Sequence, residues 1–184
     1  KERIYRIAKQ EIGNRYLGDD RFAVTMAPLG PTLKEEFHEV ERSTRVVRSW
    51  NTLINAGENT YLEPLVHGID PDAFDMFTFE YLSGNPDNYL KDKYSAVISE
   101  SVAKKYFKDQ DPLAQTFLYE GEQEFRVVGV IKDMPANSHF RMDIMLPFDT
   151  FLRVTGQERN IESWSSSSYY TYVLLNQESN ALDF

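Results

Sequence analysis

The chain has 184 residues, 41% of them apolar and 14% aromatic, which is enough for one domain with a real core and too apolar for a disordered segment. A net charge of −9 repels phosphate backbones and gives no polybasic patch for anionic lipid, so nucleic acid is excluded as a main partner. Without cysteine there are no disulfides, thiol nucleophiles or thiolate metal sites. The longest apolar runs, such as Ile144-Met145-Leu146, fall far short of the ~20 residues a membrane helix needs. Starting at Lys1 and ending at Phe184 within polar sequence, the chain reads as a segment of a longer protein.

In chain order, residues 3–12 (RIYRIAKQEI) alternate as a strand, Gly18-Asp19-Asp20 signals a turn, and residues 22–26 return as a second strand. Residues 30–40 predict a helix with Pro31 at its start, acidic Glu35 and Glu36 near its first turn, and an apolar stripe of Leu33, Phe37 and Val40. Residues 43–50 and 62–69 read as strands. Asp70-Pro71 predicts a helix start with Asp70 as cap, Phe74 and Phe77 on one side, and an end at Ser83-Gly84-Asn85-Pro86. Residues 95–98 form a short strand. Ser99 then caps a helix to Phe107, with Glu100 at its start and Lys104, Lys105 and Lys108 at its end.

Residues 116–119 and 124–131 predict a hairpin around Glu120-Gly121-Glu122, and Gly129 inside the second strand predicts a bulge or a close backbone approach. Residues 140–148 alternate as a strand, Asp149 is placed to cap a short helix to Thr155, and Ser165-Ser166-Ser167-Ser168 reads as a flexible loop. Residues 169–175 (YYTYVLL) carry the strongest strand propensity. Strands and helices mix without strict alternation, which predicts an α+β fold.

The chemistry-bearing residues are few. His38, His67 and His139 form neither HxxxH nor HExxH, so no zinc spacing is present and each reads as structural. Ser138-His139 lacks the Gly-x-Ser-x-Gly elbow of a hydrolase. Asp70, Asp72 and Asp75 lack the glycine and glutamate of a calcium loop and read as a cap with dipole-matched acids. No phosphate loop or dinucleotide fingerprint occurs, and the Tyr and Phe clusters read as core. No catalytic, cofactor or metal residue is assigned.

Several stretches, in order, carry a family resemblance: Glu2-Arg3-Ile4-Tyr5-Arg6, Ala27-Pro28-Leu29, Gly68-Ile69-Asp70-Pro71-Asp72-Ala73-Phe74, Val97 through Phe107 (VISESVAKKYF), Asp111-Pro112-Leu113-Ala114-Gln115-Thr116, and Phe125 through Phe140 (FRVVGVIKDMPANSHF). Together they resemble the MacB-like periplasmic core domain of MacB/FtsX-type ABC transporter permeases, in the Bacteroidetes variant with a D-x-P-x-N-S-H-F turn. Ala114 departs from the family, which has Gly after Asp-Pro-Leu, and this leaves that turn in question.

The resemblance implies a non-catalytic domain outside the inner membrane, between the first and second of four transmembrane helices. It implies two lobes, a porter-like one from 1–70 with 160–184 and a smaller inserted one from 71–159. The partners implied are the protein's own transmembrane helices, a second permease copy and a cytoplasmic ATPase, with a periplasmic adaptor or outer-membrane channel as further candidates. The expected function is to couple ATP-driven helix movement to substrate export, extraction or partner activation in the periplasm. The competing reading is a ligand-sensing extracytoplasmic domain of a membrane receptor, and no cofactor is expected under either.

Overall fold

A computed structural model describes residues 3–14, 18–138, 141–181 and 184. The elements run β1 (Ile4–Ile7), β2 (Lys9–Asn14), β3 (Gly18–Phe22), β4 (Thr25–Met26), α1 (Leu29–Glu36), β5 (Val40–Arg48), β6 (Thr52–Ala56), β7 (Asn59–Glu63), β8 (Val66–Ile69), α2 (Ala73–Met76), β9 (Tyr81–Gly84), β10 (Ser95–Ser99), α3 (Glu100–Phe107), β11 (Thr116–Tyr119), β12 (Gln123–Ile131), β13 (Ile144–Pro147), α4 (Phe148–Val154) and β14 (Ser167–Leu175). The fold is α+β, as the mixed pattern predicts. Among the described residues, 12 strands form one sheet along the path β1-β14-β5-β8-β13-β10-β12-β11-β6-β7, with β4 on β14 and β9 on β12, while β2 and β3 pair separately.

Because side chains alternate across a strand, each strand feeds both faces. Val47, Val66, Ile98, Phe125 and Ile144 point to one face, where α3 and α4 bring Val102, Tyr106, Phe107, Phe151 and Leu152. Their neighbours Val46, Ile69, Val97, Ile131 and Met145 point to the other, where α2 brings Phe74 and Met76, joined by Tyr89 and Leu90. The sheet is thus buried on both sides over most of its width. Helices α2, α3 and α4 cover it with apolar side chains while their outer residues stay polar.

Local signals account for the best-predicted pieces. Ser99 Oγ accepts from Val102 N–H at the start of α3, with Glu100 in the first turn and Lys104 and Lys105 in the last. The β11–β12 hairpin closes through Glu120 and Gly121, both at positive φ, the left-handed pair that matches the twist of the strands. At Gly129 both expected features coincide. Ala96 pairs with Val127 but Val97 pairs with Gly129, so β12 carries one extra residue. A Cβ on Gly129 would lie 2.2 Å from the Tyr89 ring. The bulge also moves Val130, three residues after Val127, onto the same face as Val127.

Elsewhere the pattern misplaces elements. Gly18-Asp19-Asp20 begins β3 rather than a turn, and the strand expected at 3–12 is split at Ala8. The helix expected at 30–40 runs from Leu29 to Glu36, so Phe37 is extended and half-exposed, set edge-on to Phe184 at 5.6 Å, and Val40 begins β5. The strand expected at 62–69 is broken at Pro64 into β7 and β8, since proline cannot donate to a ladder. Residues 52–61, unassigned by pattern, belong to a hairpin that carries buried Thr52, Ile54 and Ala56 to the sheet beside β11. Helix α2 ends at Met76, and the Ser83-Gly84 stretch expected to break it lies in β9. The strand expected at 140–148 begins at Ile144, Phe140 lies outside the described residues, and Ser167-Ser168 open β14 instead of forming a loop.

Ala114 resolves the turn left in question. Its φ is +64°, a left-handed conformation that a Cβ disfavours, and its N–H donates to Val127 O at 2.9 Å. The backbone keeps the conformation a glycine would adopt freely. Substituting Ala114→Gly is therefore expected to raise stability by about 1 kcal/mol, whereas Gly129→Ala lowers it by about 2 kcal/mol through overpacking against Tyr89. Urea unfolding of the two variants beside the parent checks both signs.

Candidate functional site

Two features stand out by charge: a guanidinium inside the fold and a cationic groove on its surface. Arg45 on β5 faces the side covered by α1 and α4 and is 6% exposed. A buried guanidinium must place its N–H groups on acceptors. Nε and Nη2 donate to the two oxygens of Asp70 at 2.8 Å each, Nη2 also donates to Asp149 Oδ1 at 3.0 Å, and Nη1 donates to Ala27 O at 3.3 Å. The Arg45 backbone N–H adds a 2.7 Å bond to Asp70, and the guanidinium carbon lies 4.0 Å from the centre of the Phe148 ring. Burial would lower the Arg45 pKa, but hydrogen bonds and charge from Asp70, then Asp149, outweigh it and hold it above its ordinary value.

This corrects two sequence expectations. Neither Asp70 nor Asp149 caps a helix with its side chain. Asp72 occupies the cap position of α2 and Pro147 that of α4, both without a side-chain cap bond. The carboxylates are taken by Arg45 because leaving a buried cation unmatched costs more than an uncapped amide near water. The remaining acids of that cluster are likewise matched by cations: Asp72 meets Lys34 at 2.5 Å and Arg42 at 3.5 Å, and Asp75 meets Arg42 at 2.8 Å. Among the described residues no group of three or more His, Asp or Glu is arranged to hold a metal ion.

The polar stretch after β12 forms a turn, as the resemblance implies. Ser138 N–H closes a turn onto Pro135 O at 2.8 Å. Asp133 reaches back to the start of α3, where Oδ1 accepts from the Ser101 N–H at 2.9 Å and its hydroxyl at 2.7 Å. Burial alone would raise the Asp133 pKa, but these bonds, one from Ser99 and the charge of Lys104 hold it below the ordinary carboxylate value. A buried acid, Glu63 on β7, accepts from Tyr106 Oη at 2.6 Å and Lys105 Nζ at 2.7 Å, tying the β6–β7 hairpin to α3. Burial, then the bond to Glu63, raises the Tyr106 pKa.

Of the histidines, His139 lies outside the described residues and His38 is exposed beside Glu39. His67 is buried on β8 with Nδ1 3.2 Å from Leu65 O, where the ring N–H donates to the carbonyl. Burial chiefly, with repulsion from Arg48, lowers its pKa to about 4 despite that bond.

His67 lies at one end of the groove. On the sheet face that carries α2, the strands continue past that helix, and an open groove of about 630 Å3 runs between Val46, Leu65 and the rim residues Trp50 and Tyr170. Arg6, Arg48 and Arg141 also line it, and no carboxylate does so among the described residues. Arg48 donates to Pro64 O at 3.0 Å and lies 4.3 Å from the Trp50 ring centre, which holds an indole that is 75% exposed. A second hollow of about 530 Å3 mixes Lys93 and Arg153 with Glu120 and Glu122 and so has no single sign of charge. No pattern in the sequence marks the groove, because its arginines are separated by some forty to ninety residues. Its signals, Arg48 beside Trp50 and Arg141 after the turn, are legible only once the strands are placed.

The sequence matches the MacB-like periplasmic core domain family over residues 1–182. The chain belongs to that family. Solved structures agree with the match. A domain of a permease protein from Porphyromonas gingivalis superposes with a TM-score of 0.79 at 25% identity, covering 99% of this chain and 79% of that one. The periplasmic region of MacB from Actinobacillus actinomycetemcomitans gives 0.70 at 19%, covering 98% and 77%. The extracellular domain of the ABC-type transporter YknZ from Gram-positive bacteria gives 0.60 at 17%, covering 84% and 75%. No curated protein matches the chain. This MacB-like periplasmic core domain is thus a periplasmic domain of the ABC transporter permease class, and among its described residues no helix is long and apolar enough to cross a membrane.

Within this MacB-like domain, Asp70→Ala leaves Arg45 without its main counter-charge and is expected to cost about 3 kcal/mol. Asp149→Ala, at a side chain 52% exposed, is expected to cost under about 1 kcal/mol. Guanidinium unfolding of both variants reads the difference. His67 adds a pH dependence. Folding depresses its pKa from 6.5 to about 4, so the neutral ring is accommodated fully above pH 6.5, and stability falls as pH drops through that window. The loss attributable to His67 reaches up to about 3 kcal/mol near pH 4, and His67→Gln is expected to flatten the curve of unfolding free energy against pH between those limits.

Proposed function

We propose that this domain carries ATP-driven displacement of a permease's transmembrane helices into the periplasm, where it drives export, extraction or activation of a partner. The supporting observation is the pairing of the first strand with the last. β1 and β14 are antiparallel neighbours from Ile4↔Leu174 to Ile7↔Thr171, and Arg3 Nη1 donates to Leu175 O at 2.5 Å. A displacement applied to either strand is shared with the other and enters a sheet buried on both faces. Packed interiors compress little, so such a body moves as a unit.

In this reading ATP is hydrolysed on a cytoplasmic ATPase. The domain works as one of two copies in a permease dimer and docks to a periplasmic adaptor or an outer-membrane channel. Two lobes are proposed, a porter-like one from 1–70 with 160–184 and a smaller one from 71–159. In the sheet β1, β14, β5 and β8 are contiguous, followed by β13, β10, β12 and β11, which supports that division, with the β6–β7 hairpin crossing to the second group.

The chain has no cysteine, so within it introduced thiols are unique labelling sites, and any cysteine elsewhere in the permease or its ATPase is first replaced by serine. In the full-length permease reconstituted with its ATPase, spin labels at exposed Glu122 of the two copies are expected to change separation when nucleotide binds. Labels at Glu36 and Glu122 within one copy are expected to keep theirs. Fixed distances between copies, or a shift of several ångströms within one copy, would contradict a rigid lever.

A further inference from the structure

We propose that the groove beside Trp50 binds a single anionic amphiphile, with Arg48 and Arg141 holding its acidic head and Val24, Leu65 and the indole ring receiving its apolar chain. The inference concerns binding alone and does not depend on how movement is coupled to ATP. Charge complementarity carries it. The chain holds 29 acidic and 20 basic residues, yet this groove gathers three arginines without a carboxylate among its described lining residues. Like charges gathered in this way repel one another, and an anion placed among them relieves that repulsion. Behind the groove, half-buried Asp143 interacts with Arg141: burial raises its carboxyl and Arg141 pulls it back.

The apolar half of the site decides what kind of anion fits. The half-buried side chains of Val24 and Leu65 offer no polar atoms, and Trp50 is held on the rim by Arg48 with most of its ring exposed. Inorganic phosphate would leave this surface wet. A peptide would bring a run of backbone N–H groups to a groove whose polar groups are mostly arginine donors, leaving many of them without acceptors. A slender hydrocarbon with one charged end satisfies both halves, and about 630 Å3 lies within the ~300–1,000 Å3 usual for small-molecule sites. An anionic bilayer does not fit. The chain's overall −9 charge repels an extended negative surface, whereas a monomer inside the groove lies within ~8 Å of the arginines, where salt screens least.

The two tryptophans make the test direct. Trp164→Phe, at a half-exposed position, leaves Trp50 as the sole indole reporter. Dodecyl phosphate, titrated below its micelle-forming concentration, is expected to give a saturable change in Trp50 emission. The Arg48→Gln/Arg141→Gln double variant is expected to weaken that binding about tenfold or more. If the double variant loses its thermal transition, Arg141→Gln alone, at an exposed residue, carries the comparison with a smaller expected loss. Inorganic phosphate and dodecyl maltoside are each expected to give no saturation in the same range, and phosphatidylglycerol vesicles are expected not to co-sediment with the chain. Equal response to the neutral amphiphile, saturation by inorganic phosphate at equal concentration, unchanged affinity in the arginine variants, or binding to vesicles without binding to the monomer would each overturn the proposal.

Discussion

A guanidinium buried against a sheet can persist only if acceptors are brought to it, and in this domain that requirement organises the surrounding connections. Asp70 comes from the end of β8, Asp149 from the first turn of α4, Ala27 O from the segment before α1, and the Phe148 ring from the start of α4. Moving Asp70 strands a buried charge, and the other three fix the direction in which the guanidinium points. Such a cluster is a poor source of net stability, because desolvation offsets most of the attraction. Its effect is geometric: α1, α2 and α4 leave the sheet at one set of positions. The close seat of Gly30 against the Arg45 side chain, 3.2 Å from an ideal Cβ to Cγ, shows how little slack remains.

The same logic of forced neighbours runs through the rest of the sheet. The extra residue at Gly129 shifts the alternation of β12 so that Val127 and Val130 both face α3 and α4, while Ile131 faces Tyr89 and Phe74. Glu63 fastens the β6–β7 hairpin to α3, and Asp133 fastens the chain after β12 to the first turn of that helix. A sheet tied across both faces in this way resists bending, as the displacement proposed for this domain would require.

The groove is a consequence of economy on one face. Helix α2 spans only four residues and covers Val46 and Ile69, so the ends of β5, β8 and β14 beyond it carry side chains that meet solvent. Those side chains include Arg48 and Tyr170, with Trp50 just beyond the end of β5. An acidic protein therefore presents one cationic, partly aromatic concavity, a property that net charge hides because it sums over every surface.

Several elements were legible from the residues alone because their causes are local. Ser99 capping α3, the turn at Glu120-Gly121, the bulge at Gly129 and the branched, aromatic run of β14 each depend on neighbours a few positions away. The ordered motifs that resemble the MacB-like family, including the departure at Ala114 whose backbone kept the glycine conformation, were legible for the same reason. Tertiary structure alone decided that Asp70 and Asp149 serve Arg45 instead of helix ends, that β6 and β7 cross to β11, and that Arg6, Arg48 and Arg141 share a groove. Backbone propensity acts over a turn or a hairpin, whereas the pairing of a buried charge and the meeting of distant strands are set by burial, and burial exists only once the chain has closed on itself.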